Sequence, residues 1–168
     1  VLRSIEAIDN QQRLLRHLFI VDPAAFAAIA ADPASLLKGL AIQISVSDKN
    51  GILIFSNLRP MTDRIDVSDR EHIRVHMRGD DDKLFIGKPV LGRVSGQWVV
   101  QFTRKIRDAT GDFAGVIVTS VDATYLTRFQ QNLSERGLDL LLVGMDGIVR
   151  ASRSEEHTSE FQSRFGIS

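Results

Sequence analysis

The stretch AIQISVSDKNGILIFS, Ala41 to Ser56, decides how the chain reads. Ile42, Ile44 and Val46 alternate with Gln43, Ser45 and Ser47, the two-residue period of a β-strand. Asn50-Gly51 follows as a tight turn, and Ile52 to Phe55 is a second apolar run. Strand, Asn-Gly turn and strand predict a β-hairpin.

Upstream of the hairpin the period changes. Leu2, Ile5, Ile8, Leu15 and Leu18 recur at helical spacing, with Gln12 filling the one gap. Asp22-Pro23 then reads as an N-cap with proline at the first helical position, and Asp32-Pro33 repeats the signal. Residues 1–40 are therefore read as a helical stalk in about three pieces.

Downstream, residues 57–67 read as loop. Ser68 with Glu71 forms a capping-box pattern, so a helix is expected from Asp69 to about Arg78-Gly79. His72 and His76, four apart, fall on one face of that helix. Three further strands are expected. The first is KLFIGKPVL, where Pro89 marks an edge or a strand end. QWVVQFTRKI and FAGVIVTSV follow as a hairpin pair joined near Gly111. Asp122 precedes ATYLTRFQQNL, a predicted helix. After Gly137 the hairpin pattern returns as LDLLLVGMDGIVR, a weak internal repeat.

Composition narrows the function classes. The 168 residues carry 21 basic and 21 acidic side chains, so no basic field argues for nucleic acid. Cysteine is absent, which excludes thiol catalysis and disulfides. No apolar run approaches the ~20 residues needed to cross a bilayer, and no signal peptide is visible at Val1. A piece lying between membrane segments fits these facts.

The order helix, hairpin, helix and three-strand meander is that of an α+β, PAS-like domain. DVSDREHIRVHM, LFIGKPVLGRVSGQWVVQFTRKI and GDFAGVIVTSVDATYLTRF together resemble the membrane-distal half of a double Cache sensor domain. Such modules are extracytoplasmic parts of bacterial diguanylate cyclases, histidine kinases and chemoreceptors. The resemblance spans roughly Ala41 to Arg150. It implies a membrane-distal module over 41–137 and the start of a truncated membrane-proximal module over 138–152. It implies a periplasmic domain of an inner-membrane protein that binds a small molecule and does no chemistry itself. It also implies a homodimer through the N-terminal helix, with the output domain outside this chain. Residues 153–168, containing RSEEHTSEFQS, resemble a translated sequencing-library adapter and read as a non-native tail.

In the amino-acid-binding branch of that family, an arginine on the crossing segment holds the ligand carboxylate. An aspartate at the end of the last strand holds the ammonium. Arg70 matches the arginine and Asp122 the aspartate. His72 and Ile73 stand where the family has aromatics, which departs from the amino-acid pattern. An arginine still suits a carboxylate or other anion through a bidentate charge-assisted pair. Lys88 and Arg104 are the expected positive charges at the pocket mouth.

Each of these residues has a plainer reading. Arg70 beside Asp69 and Glu71 is also a surface ion-pair partner, and Asp122 is also a helix N-cap. Trp98 and Phe102, four apart on a strand, share a face and read as core. Two rival functions stand. One is a structural or dimerisation module without ligand. The other is a zinc hydrolase using His72 and His76, although zinc needs three or four protein ligands. No cofactor is expected, and neither a phosphate loop nor a Gly-x-Ser-x-Gly elbow occurs.

Overall fold

The hairpin forms as expected, and it makes one side of a six-stranded antiparallel sheet. The computed structural model describes residues 2–32, 41–122, 142–144 and 146–151. Strand β1 (Ala41–Asp48) lies between β2 (Leu53–Ser56) and β6 (Phe113–Asp122). Strand β5 (Trp98–Arg107) pairs with β6 along its length. At the far edge β5 carries two short pieces, β3 (Phe85–Ile86) and β4 (Val90–Leu91). Helices α1 (Leu2–Val21) and α2 (Pro23–Ala31) cover one face. Helix α3 (Glu71–Arg78) crosses the other. Strands β7 (Leu142–Val143) and β8 (Val149–Ala151) form a separate hairpin, and Leu142 packs on the sheet beside Ile8, Val100 and Phe102. This is the expected α+β, PAS-like architecture. The predicted helix over 123–133, the third helical piece after Pro33 and the tail from 153 lie outside the described residues.

Local chemistry accounts for most of these elements. Asp22 caps α2 by accepting from the Ala25 N–H at 3.0 Å, with Pro23 at the first helical position. In α1, Ile8, Gln12 and Leu15 form the buried stripe. Gln12 belongs there because its Nε2 donates to the Phe102 carbonyl and to Thr119 Oγ1. Gly51 sits at φ 78° in the hairpin turn, and a Cβ there would lie 2.6 Å from the Ser68 Cα. That contact explains one departure from expectation. Ser68 is pressed against the hairpin turn and does not cap a helix. The helix starts at Glu71, and the N-cap position, Arg70, makes no side-chain capping bond.

KLFIGKPVL is two short strands, not one. Pro89 has no N–H to give the ladder, so bonding to β5 ends with the Gly87 N–H on the Gln101 carbonyl at 2.8 Å and resumes at Val90. Trp98 also departs from the core reading: it is 65% exposed, whereas Phe102 is fully buried.

Alternation on the central strands places two different sets of side chains inside. Ile44, Val46, Val100, Phe102, Ile106, Ile117 and Val121 point toward α1 and α2. Gln43, Ser45, Gln101, Thr103 and Ser120 occupy the alternate positions and are also buried, toward α3. Helix α3 is held on this face by Ile73, His72 and His76, all buried, and His76 Nε2 lies 2.8 Å from Thr103 Oγ1.

Burial lowers both histidine pKa values to about 4. The cations Arg70 and Arg93 push His72 the same way, as does Lys105 for His76, while Asp69 opposes at His72 and Asp81 and Asp82 oppose at His76. The unfolded chain therefore binds more protons between about pH 6.5 and pH 4, so stability falls as pH drops through that window. The loss is on the order of 3 kcal/mol for each ring once both states are protonated. Urea denaturation at pH 7 and pH 4.5 should show this loss, and the double variant His72→Gln, His76→Gln should show a much flatter pH dependence. A second expectation concerns Gly115, where a Cβ would lie 2.1 Å from the Ser47 carbonyl oxygen across the β1–β6 ladder. Gly115→Ala should cost about 1–3 kcal/mol in the same assay.

Candidate functional site

Between α3, the β4–β5 turn and the polar face of the sheet lies a hollow. Its floor is Gln43, Ser45, Gln101 and Ser120, one row from each of β1, β5 and β6. Buried amides and hydroxyls cost free energy unless bonded. Two pairings meet part of that need. Gln43 Nε2 donates to Ser56 Oγ at 3.0 Å, and Ser120 Oγ donates to Gln101 Oε1 at 2.7 Å. Leu53, Val67 and Ile73 make one wall apolar. His72 faces in from the first turn of α3, neutral at pH 7 with its pKa near 4.

The rim is cationic. Arg70 and Arg93 both line the hollow. Arg93 comes from the β4–β5 turn and grips Asp69 with two bonds, Nη1 to Oδ1 and Nη2 to Oδ2, each 2.7 Å. Its Nη1 also donates to the Asp66 carbonyl. Arg70 reaches the opposite way, from the entrance of α3 to the Leu91 carbonyl at 3.2 Å. The two guanidiniums thus fasten the turn over the hollow. Hydrogen bonding to Arg93, with its charge, holds the Asp69 carboxyl below the usual carboxylate range. The enclosed space is about 40 Å³, room for a few waters.

The other expected site residues fall in different places. Asp122 lies on the β6 face that carries Val118 and Ser120, at the strand end opposite Val99. It is not among the described lining residues. Lys88 follows β3 and stands 4.0 Å from the Glu71 carboxylate, beside α3 and outside the described lining.

Arg104 corrects the reading of a pocket-mouth charge. Strand parity puts it on the α1 side with Phe102, where it is 3% exposed. There it pairs with Asp9 of α1 at 2.5 Å and with Asp82 at 3.3 Å, and it donates to the Asp82 carbonyl at 2.9 Å. Burial works against the Asp9 carboxylate, but the Arg104 bond and charge outweigh it and hold its pKa low. Asp82 also receives Arg16 of α1. The acidic run Asp80 to Asp82, which resembles a solvated loop in sequence, is in part an anchor: Asp80 pairs with Arg107 at 2.8 Å. Among the described residues no group of three or more metal-ligating side chains is placed to hold a metal, so His72 and His76 have no third ligand there.

Two features of the site escaped the sequence. The polar half of the β1 and β5 alternation was the signal for the floor. Arg93 gave no local signal, because its partner Asp69 is 24 residues away on another element.

No protein-family model matches the chain, and no curated protein matches it. Solved structures do. The extracellular domain of rpHK1S-Z16, a proposed histidine kinase, is similar with TM-score 0.70 and 22% identity, over 98% of this chain and 73% of that one. The ligand-binding domain of the Pseudomonas fluorescens chemoreceptor CtaA, in complex with L-serine, is similar with TM-score 0.70 and 15% identity, over 98% and 74%. The sensory domain of the Campylobacter jejuni chemoreceptor Tlp3, with isoleucine bound, gives TM-score 0.58 and 14% identity, over 92% and 68%. At these identities the likeness is one of fold. The chain has the α+β, PAS-like fold found in extracellular sensor domains of histidine kinases and chemoreceptors.

Proposed function

We propose that this chain is the small-molecule sensing part of a membrane-anchored bacterial signalling protein, lying outside the cytoplasmic membrane, and that it binds a small organic anion at the Arg70 hollow. The observation that carries this reading is the buried polar floor beneath a guanidinium rim. A sheet face that served only packing would be mostly apolar, as the side of Ile44, Val46, Val100, Phe102, Ile117 and Val121 is, where Arg104 and Thr119 are bonded to α1. The similar domains of CtaA and Tlp3 hold L-serine and isoleucine, each of which presents a carboxylate. Arg70 is the anchor for that group. His72 offers a neutral ring beside it, and Asp122, at the end of β6, and Lys88, after β3, are assigned as further contacts of the ligand from outside the described lining. Arg104 serves the stalk instead.

The hollow has to widen for a metabolite, because about 40 Å³ admits only water. The closed turn is therefore the state without ligand, and binding shifts the population toward a rearranged rim. The Asp9–Arg104–Asp82 contacts link the segment after α3 to the stalk helix, a physical route for that shift. The stalk (1–40), the distal module (41–137), the start of a second module (138–152) and the non-native tail from 153 remain our division of the chain. The output domain, a cyclase, kinase or chemoreceptor signalling unit, is supplied by the rest of the protein.

Dimerisation through α1 is part of the same proposal. Leu14 and Val21 are 47% and 59% exposed and, seven residues apart, share one exposed flank of α1. Two measurements test these readings. In a thermal-shift screen, small carboxylates at about 100 times their Kd should stabilise the protein by about 2.7 kcal/mol, and Arg70→Ala should abolish the shift while leaving the unliganded melting temperature nearly unchanged. Unaltered binding by that variant would remove the Arg70 site from consideration. In sedimentation equilibrium, Leu14→Asp should weaken self-association at least tenfold; a parent chain that is monomeric at high concentration would refute the dimer.

A further inference from the structure

The rim of the hollow contains a second cation that the sequence pattern does not assign. Arg93 reaches the rim from the β4–β5 turn, Arg70 from the entrance of α3, and both border the same cavity. Each guanidinium is now occupied by an acceptor that a ligand can replace. Arg93 holds the Asp69 carboxylate in a two-point grip of 2.7 Å bonds, the geometry it would give to a free carboxylate. Arg70 holds only one carbonyl, that of Leu91, at 3.2 Å. Below them the floor is uncharged amide and hydroxyl, and His72 is neutral. Positive charge at this site thus comes from two guanidiniums, one carried by the entrance of α3 and the other by the β4–β5 turn.

From this arrangement we infer that the site takes a dicarboxylate, one carboxylate on Arg70 and the other on Arg93 in place of Asp69. This rests on the anion-binding reading above and goes further, because it names the ligand class and gives Arg93 a specificity role. Asp69 then acts as an internal competitor. It occupies Arg93 while the site is empty, and its displacement unfastens the β4–β5 turn, so ligand arrival and opening of the turn are one exchange. The Asp69–Arg93 pair is well exposed, with 61% and 37% of the side chains accessible, so the exchange breaks a pair that water already screens. A monocarboxylate engages Arg70 alone and leaves the Arg93–Asp69 grip intact.

Isothermal titration of the full chain with succinate and with butyrate tests this, using the parent, Arg93→Gln, Asp69→Asn and Arg70→Ala. Succinate should bind the parent at least tenfold more tightly than butyrate. Arg93→Gln should erase that difference by weakening succinate alone. Asp69→Asn should strengthen succinate severalfold, because the competitor is removed, and circular dichroism should confirm that each variant is folded. If both acids bind in an Arg70-dependent manner and Arg93→Gln changes neither, the dicarboxylate inference is overturned while the anion site stands. If Asp69→Asn weakens succinate, the competitor role is overturned. Binding of neither acid to the parent overturns this inference and removes the support for an anion site as well.

Discussion

Strands β1, β5 and β6 are buried on both faces, and the two faces are chemically unlike. Side chains on a strand must alternate, so each of these strands divides its residues between two environments. On β5 the division sends Val100, Phe102 and Ile106 to the helical side and Gln101 and Thr103 to the other. The apolar side supplies cohesion by burying aliphatic and aromatic surface against α1 and α2. The polar side would be a cost to the fold if it did no more than pack. Its amides and hydroxyls are partly paired with each other, and α3 closes over them with two neutral histidines and Ile73. Both sides thus contribute to cohesion, the α3 side through Leu53, Val67, Ile73, Val116 and Val118, but only the α3 side is also arranged around a hollow with a polar floor.

Features governed by near neighbours were legible in the sequence. Asp22-Pro23 starts a helix, Asn50-Gly51 turns a hairpin, and the spacing of Ile8, Gln12 and Leu15 gives the buried stripe of α1, because each depends on residues within a few positions. Features governed by distant pieces of chain were not. The Ser68 capping pattern is sound locally, but the Gly51 turn lies against Ser68, and that tertiary contact prevails. Arg104 was misplaced for want of a parity argument: Phe102, read as core, lies two positions away and therefore on the same face. Arg70 could be singled out through its resemblance to a family position. Arg93 could not, because its importance exists only when the β4–β5 turn folds back across the entrance of α3.

The charged residues sort into two groups by what they connect. Arg70, Arg93 and Asp69 tie the entrance of α3 to the β4–β5 turn at the rim, in contact with water. Arg104, Asp9, Asp82 and Arg16 tie α1 to β5 and to the segment after α3, with Arg104 almost wholly buried. A buried charge of this kind is costly to leave alone, since loss of one partner strands the other in a poorly solvated place. Helix α1 is therefore registered to the sheet by a contact that does not slide freely. Both groups meet on the chain between Asp66 and Asp82, so the segment that borders the hollow also carries an anchor of α1.

The sheet has two outer borders, and both are spoiled as templates for another chain. At one, the Leu53 N–H is taken by the Ile65 carbonyl at 3.0 Å, and the loop returns to bond Gly51 through Val67. At the other, Pro89 divides β3 from β4 and leaves only pairs of residues in ladder geometry. A neighbouring molecule finds no long row of open amides along which to polymerise. The outer edges thus protect the sheet against strand-mediated aggregation.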